Sequence, residues 1–255
     1  MSSTAITVKT VGTTPHEGQK PGTSGLRKRV RIFQQPNYTD NFVQAIFDAT
    51  QIGQHGDAPS LVVGGDGRYF MKETIQTIIR IGIANGIQRF IVGKDGILST
   101  PAGSHLIRSL GASGGILLTA SHNPGGPEKD FGIKFNAHNG GPAPENVTDK
   151  IYECTRAIRH YHIAEIPDVD ISALGSHIVG EINGKPIEVE VVDSVESYVE
   201  LLKTIFDFAL IKRFLKENPT FKVLFDGLNG VTGPYGRSLF VKEFGLPETT
   251  SVDQA

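Results

Sequence analysis

Three adjacent residues, Ser121, His122 and Asn123, bring together a hydroxyl, a titratable imidazole and a hydrogen-bonding amide. Such a set can supply a nucleophile or phosphoryl carrier, a proton-handling partner and an orienting group. Ile116, Leu117 and Leu118 form a short apolar run just before them, which predicts a buried strand ending at Ser121. Ligands of α/β sheets sit beyond such strand ends. Pro124, Gly125, Gly126 and Pro127 shape the following loop, whose glycines allow a ligand close to the backbone. Lys134 brings back a cation on a second short strand, Phe131 to Asn136. A further polar loop, Gly22, Thr23, Ser24 and Gly25, precedes Arg27, Lys28, Arg29 and Arg31, which surround a predicted strand through Val30, Ile32 and Phe33. Backbone amides, hydroxyls and a guanidinium can together hold a phosphate. Both stretches also have a plainer reading. Ser-His-Asn before Pro-Gly is an ordinary turn sequence, and the basic stretch suits an edge strand guarded by charge.

Longer strings separate these readings. Thr119 to Asn136, TASHNPGGPEKDFGIKFN, closely resembles the active-site loop of the α-D-phosphohexomutases, in particular the phosphoglucomutase branch. The resemblance extends through KPGTSGLRKRV (Lys20 to Val30), LVVGGDGR (Leu61 to Arg68), NGI (Asn85 to Ile87), GILSTPA (Gly96 to Ala102) and NGGPAPE (Asn139 to Glu145). It covers nearly all of the first two-thirds of the chain.

The resemblance implies a phosphoglucomutase, interconverting glucose 1-phosphate and glucose 6-phosphate. Ser121 would carry a phosphoryl group, give it to a hexose monophosphate to make glucose 1,6-bisphosphate, and recover the other one. Mg²⁺ would share the Ser121 phosphate, so that Ser121 serves the metal only through that group. His122 and Lys134 match positions tied to proton transfer and phosphate orientation. Arg27 matches the arginine of the GTSGLR motif close to the phosphoserine, and Ser24 lies in the same motif, so both are expected to bind substrate. The physics suits a transfer of this kind, which rests on positioning and on offsetting the charge of a phosphomonoester.

One departure qualifies that expectation. The family takes further metal ligands from a DGDGD-type loop in its second domain, a sugar-recognition loop of GEESFG type from the third, and a distal phosphate site from the fourth. Neither the DGDGD nor the GEESFG string occurs among these 255 residues. The sequence therefore reads as an N-terminal part of a phosphoglucomutase, expected to be inactive alone. The alternative is a non-catalytic relative that binds phosphosugars or protein partners.

The elements that must position these groups follow from periodicity. Helices are expected from Thr39 or Asp40 to about Gly53, over Met71 to Ala84, from Thr100-Pro101 to Leu110, and from Pro144-Glu145 through Ile158. Strands near Ile6 to Val8, Leu61 to Val63 and Phe90 to Val92 alternate with them. This pattern predicts a three-layer αβα domain with a largely parallel sheet. Residues 161–190 lose the regularity, broken by Pro167, Gly175, Gly180, Gly184 and Pro186, and are expected to end a first domain as a linker. Residues 191–255 should open a second, incomplete αβα domain: a helix from Ser194 to Lys216, a strand at Val223 to Phe225, and a helix from Ser238 to Phe244.

Composition narrows the classes. A net charge of −2 gives no global reason to expect nucleic acid or an anionic membrane as partner. Glycine makes up 30 of 255 residues, about 12% against an ordinary 7%, and falls in discrete loops. The single cysteine, Cys154, cannot form an internal disulfide, which fits a reducing cytoplasm. The eight histidines lack metal-ligand spacing, and GGDGR (Gly64 to Arg68) lacks the full dinucleotide fingerprint. Asp168 and Asp170 are expected in a solvated loop, and Arg156, Arg159 and His160 on an outer helix face. The resemblance, not composition, implies a protein that is monomeric when complete and acts on hexose phosphates.

Overall fold

Runs such as Leu61-Val62-Val63 and Phe90-Ile91-Val92 are apolar at every position, which suits strands covered on both faces. The computed structural model describes residues 4–54 and 58–252. In chain order come β1 (Val8–Gly12), β2 (Leu26–Arg29), α1 (Val30–Phe33) and α2 (Tyr38–Thr50). β3 (Ser60–Gly65), α3 (Met71–Ala84), β4 (Arg89–Ile97), α4 (Thr100–Ser109) and β5 (Gly114–Leu118) then alternate. Next are β6 (Asp130–Ala137), α5 (Glu145–Ala157), β7 (His160–Ala164), β8 (Gly175–Ile182) and β9 (Lys185–Val192). The described chain closes with α6 (Ser194–Ile205), α7 (Phe208–Glu217), β10 (Phe225–Asp226), α8 (Gly233–Gly236) and β11 (Ser251–Val252).

Seven strands form one sheet in the order β2-β6-β5-β3-β4-β9-β8. The parallel arrangement expected of most of the sheet is confined to its centre, where β3 pairs with β4 and β5, and β4 with β9. A two-residue turn makes β8–β9 antiparallel, the longer loop after β5 also returns as antiparallel β6, and β2 joins β6 in the same sense. Side chains alternate across this sheet. Leu61, Val63, Phe90, Val92, Ile116 and Leu118 enter one core with residues of α2, α3 and α5. Val62, Ile91 and Leu117 enter the other, against Leu106 and Ile107 of α4. Each such fully buried aliphatic contributes about 1.5–3 kcal/mol relative to exposure. Helices therefore cover both faces, as expected.

Several expectations need correction. Val30–Phe33 is a helical turn, and the strand is the preceding Leu26–Arg29. Val30 and Phe33 are both buried, an i,i+3 pairing that a helix places on one side and a strand does not. Residues 161–190 are irregular only over 165–174: β7 pairs with β1, and the β8–β9 hairpin extends the sheet. Their glycines mark joints, with Gly184 in the hairpin turn at φ +74° and Gly180 beside a register shift. The long helix expected from Ser194 is two. Asp207 accepts the Leu210 amide at 2.8 Å and starts α7 anew. The later strand is Phe225–Asp226, paired in parallel with Ser251–Val252, and residues 237–243 form a π-helical turn. Ser99, not Thr100, caps α4, accepting the Ala102 amide at 3.3 Å. His160 lies in β7, not on a helix face. Asp168 and Asp170 do lie in an exposed loop, as expected, where Asp168 accepts a 2.6 Å hydrogen bond from Arg80.

No helix among the described residues is long and apolar enough to cross a membrane. The C-terminal segment is anchored unevenly. Val199 and Tyr235 are buried, whereas α7 buries none of its residues and Phe206, Leu210, Phe214 and Leu224 are exposed. Poorly packed helices open at low cost. Limited proteolysis is therefore expected to cut within residues 205–224 before any cut in the seven-stranded sheet. First cleavage between β3 and β5 would contradict that ordering.

Candidate active site at the ends of the parallel strands

The loops leaving β3, β4 and β5 meet at one edge of the sheet. The chain leaves β3 toward α3 on one face and leaves the adjacent β4 toward α4 on the other, the arrangement that opens a crevice in α/β sheets. A cavity of about 1010 Å³ lies there. Its wall includes Asp66 and Arg68 after β3, Ser99 after β4, Ser121 and His122 after β5, and Asn229 from the C-terminal segment. Close strand approach helps to build it, since a Cβ on Gly65 would come within 2.1 Å of the Leu118 carbonyl oxygen.

Ser121 is exposed at this edge and has φ +54°. That left-handed conformation costs a residue with a Cβ about 1 kcal/mol or more and collects at functional sites. Its backbone N–H donates to Thr119 Oγ1 at 2.9 Å, and Thr119 Oγ1 donates to Asp66 Oδ2 at 2.6 Å. Its carbonyl accepts from an Arg68 terminal nitrogen at 2.6 Å. The hydroxyl accepts a 2.6 Å hydrogen bond from the Arg27 guanidinium. Arg27 thus faces Ser121 through a terminal nitrogen, while its Nε is buried without a hydrogen-bond partner.

The sequence-predicted residues separate into groups. Ser121 and His122 share the cavity wall. Arg27 joins Ser121 from β2, where it stands opposite Gly132 of β6. Lys134 lies on β6 opposite Leu117 and lines a separate cleft with Gly22, Thr23 and Gly25. Ser24 is exposed in a turn closed by mutual Gly22–Gly25 backbone hydrogen bonds, away from the cavity wall. Gly25 holds that turn at φ +85°, where a Cβ would meet the Ile133 carbonyl oxygen at 2.4 Å.

Burial pushes the Lys134 ammonium below the usual lysine range, and the neighbouring Arg27 charge acts in the same direction. The unfolded chain then binds more protons than the folded one between the lowered value and the ordinary one of about 10.4. Stability contributed at Lys134 therefore rises with pH across that window. Lys134→Met is expected to leave the unfolding free energy equal or higher at neutral pH and to remove this alkaline rise. Denaturant unfolding across the pH range checks it, and a large loss of stability at neutral pH would contradict it.

Sequence reasoning passed over Asp66, Arg68, Thr119 and Tyr235. The first two sit in GGDGR, which reads as an incomplete dinucleotide loop, yet a carboxylate and a guanidinium directly beyond a buried strand were a usable signal. Tyr235 Oη accepts the Ser99 amide at 3.0 Å and shares a 3.0 Å hydrogen bond with Ser194 Oγ. It ties the C-terminal segment to the start of α4, a contact no local pattern announces.

A family model described as phosphoglucomutase/phosphomannomutase, alpha/beta/alpha domain I, matches residues 18–162. The chain belongs to the phosphoglucomutase/phosphomannomutase family. A phosphoglucomutase of Emericella nidulans is 54% identical over 248 residues, which cover 97% of this chain and 43% of that protein. Phosphoglucomutase-1 of Homo sapiens is 50% identical over 250 residues, 97% of this chain and 44% of its own length. A solved structure of the phosphoglucomutase pp63/parafusin from Paramecium, in an open form, matches with a TM-score of 0.92 and 42% identity. That match covers 98% of this chain and 45% of the other. The chain thus spans less than half the length of these phosphoglucomutases.

Proposed function

We propose that Ser121 is the phosphoryl carrier of a phosphoglucomutase acting between glucose 1-phosphate and glucose 6-phosphate. The observation that carries this reading is the exposed Ser121 hydroxyl, held in a left-handed turn on the cavity wall and bonded at 2.6 Å to Arg27. In the transfer, a bond forms between Ser121 Oγ and phosphorus as the phosphorus–oxygen bond to one sugar carbon of glucose 1,6-bisphosphate breaks. The Oγ proton leaves to a nearby base and the sugar oxygen takes one up. Arg27 offsets the charge on the phosphoryl oxygens. His122, exposed on the wall, and Lys134, whose ammonium is easier to deprotonate than usual, are assigned proton transfer and phosphate orientation. Ser24 is assigned to substrate binding from its exposed turn.

Mg²⁺ belongs to the same proposal and would offset charge on the Ser121 phosphate when bound. Among the described residues no three His, Cys, Asp or Glu side chains gather into a set able to hold a metal ion. Asp66 Oδ2 is committed to Arg68 and Thr119, while its buried Oδ1 has no hydrogen-bond partner. This stretch would hold the ion only through the serine phosphate. The chain alone is accordingly proposed to take up a phosphoryl group without sustained conversion of glucose 1-phosphate.

Further parts of the proposal are a phosphohexomutase domain I over residues 1–190 and the opening of a domain II over 191–255, a division that falls near the end of β9. A cytoplasmic phosphoprotein of glucose metabolism, monomeric when complete and without nucleic-acid or membrane partners, completes it. The test is to mix this chain with glucose 1,6-bisphosphate and follow intact mass and released sugar phosphate. A gain of one phosphoryl group with one equivalent of hexose monophosphate is expected. Binding of the bisphosphate with neither change would favour a non-catalytic phosphosugar-binding protein.

A further inference from the structure

Arg68 forms part of the cavity wall, yet its guanidinium is spent on the protein. Its side chain is only 8% exposed. Nε donates to Asp66 Oδ2 at 3.0 Å, one terminal nitrogen donates to the carbonyls of Pro124 at 3.2 Å and Asp130 at 3.1 Å, and the other donates to the Ser121 carbonyl at 2.6 Å. Four of its five N–H groups are thereby used on the protein. The three carbonyls lie at the beginning, middle and end of residues 121–130. One planar fork therefore ties both ends of the loop to the end of β3.

We propose that Arg68 is a positioning residue, whose guanidinium fixes the left-handed turn at Ser121 and so aims the hydroxyl at Arg27 and the cavity. The inference rests on Ser121 being the phosphoryl carrier. Arg68 holds the carbonyl side of Ser121, while Thr119, itself donating to the same Asp66 oxygen, holds the N–H side. Asp66 thus anchors both halves of the clamp, and its charge balances that of the buried guanidinium. Without the fork, a non-glycine residue at φ +54° has reason to relax toward negative φ, turning the hydroxyl away from Arg27. A lysine cannot replace it, because one ammonium does not reproduce several fixed donor directions.

The test compares Arg68→Lys and Arg68→Met in this chain by hydrogen exchange and by phosphoryl uptake from glucose 1,6-bisphosphate. Both variants are expected to speed amide exchange in residues 119–130 at least tenfold, with the β3, β4 and α3 amides unchanged. Both should slow the maximal rate of uptake at least tenfold while leaving the half-saturating bisphosphate concentration unchanged. Unaltered loop exchange in a folded variant would overturn the proposal. So would a raised half-saturating concentration with the maximal rate preserved, which marks a direct phosphate ligand. If Arg68→Met does not fold, Arg68→Lys, which keeps the charge beside Asp66, decides. If the unsubstituted chain takes up no phosphoryl group, the reading of Ser121 fails, and loop exchange alone still decides the role of Arg68.

Discussion

Ser121→Ala is expected to abolish phosphoryl uptake from glucose 1,6-bisphosphate while leaving the fold intact. The hydroxyl is the only atom lost together with its bond from Arg27, and the side chain is exposed, so little packing goes with it. The backbone bonds of residue 121 to Thr119 and Arg68 do not involve the hydroxyl and survive. Loss of a single hydrogen bond to a charged group costs at most about 1.5–3 kcal/mol, and less where water can replace it as at this exposed hydroxyl. The loss of the acceptor is complete, because no other hydroxyl on the cavity wall is bonded to Arg27. Intact mass after incubation, with a thermal unfolding curve beside it, checks both halves. Undiminished uptake by the variant would move the chemistry to another residue.

Arg27→Ala is expected to slow the same uptake by about 10²–10³, with a much smaller effect on stability. Arg27 is half-buried, and a terminal nitrogen donates to the exposed Ser121 hydroxyl, which places its charge beside whatever anion sits there. Removing it also relieves the like charge that lowers the Lys134 pKa. Stability near neutral pH should therefore change little. Arg27→Lys should recover part of the rate, since a point charge offsets phosphoryl charge without the planar fork. A near-normal rate in the alanine variant would reduce Arg27 to a guarding charge on an edge strand.

The parts of this site written in contiguous sequence were legible. Ile116-Leu117-Leu118 ending at Ser121 is a strand meeting a cavity, and Met71–Ala84 is a helix from first residue to last. What periodicity leaves out depends on distance along the chain. Arg27 and Ser121, 94 residues apart, are joined in the sequence only through the family resemblance, and Arg68 and Ser121, 53 apart, are not joined at all. Their meeting follows from the order β2-β6-β5-β3, which no local periodicity encodes. The left-handed turn at Ser121 escaped for a related reason. Nothing in Ser-His-Asn demands a positive φ, and tertiary bonds to both sides of residue 121 impose it. At Val30–Phe33 the apolar residues suit a strand by propensity, and burial of positions three apart overrides it. Residues 161–190 were obscured because glycine and proline, ordinarily breakers, stand at the turn, the bulge and the edge of a hairpin.

The most direct measurement is the site of phosphorylation. The unsubstituted chain is incubated with labelled glucose 1,6-bisphosphate and digested, and the modified residue is assigned by fragment masses. A phosphoryl-carrying Ser121 predicts one phosphoryl group, on that residue. A label on Thr119, Ser24 or any other hydroxyl with Ser121 unmodified would contradict it.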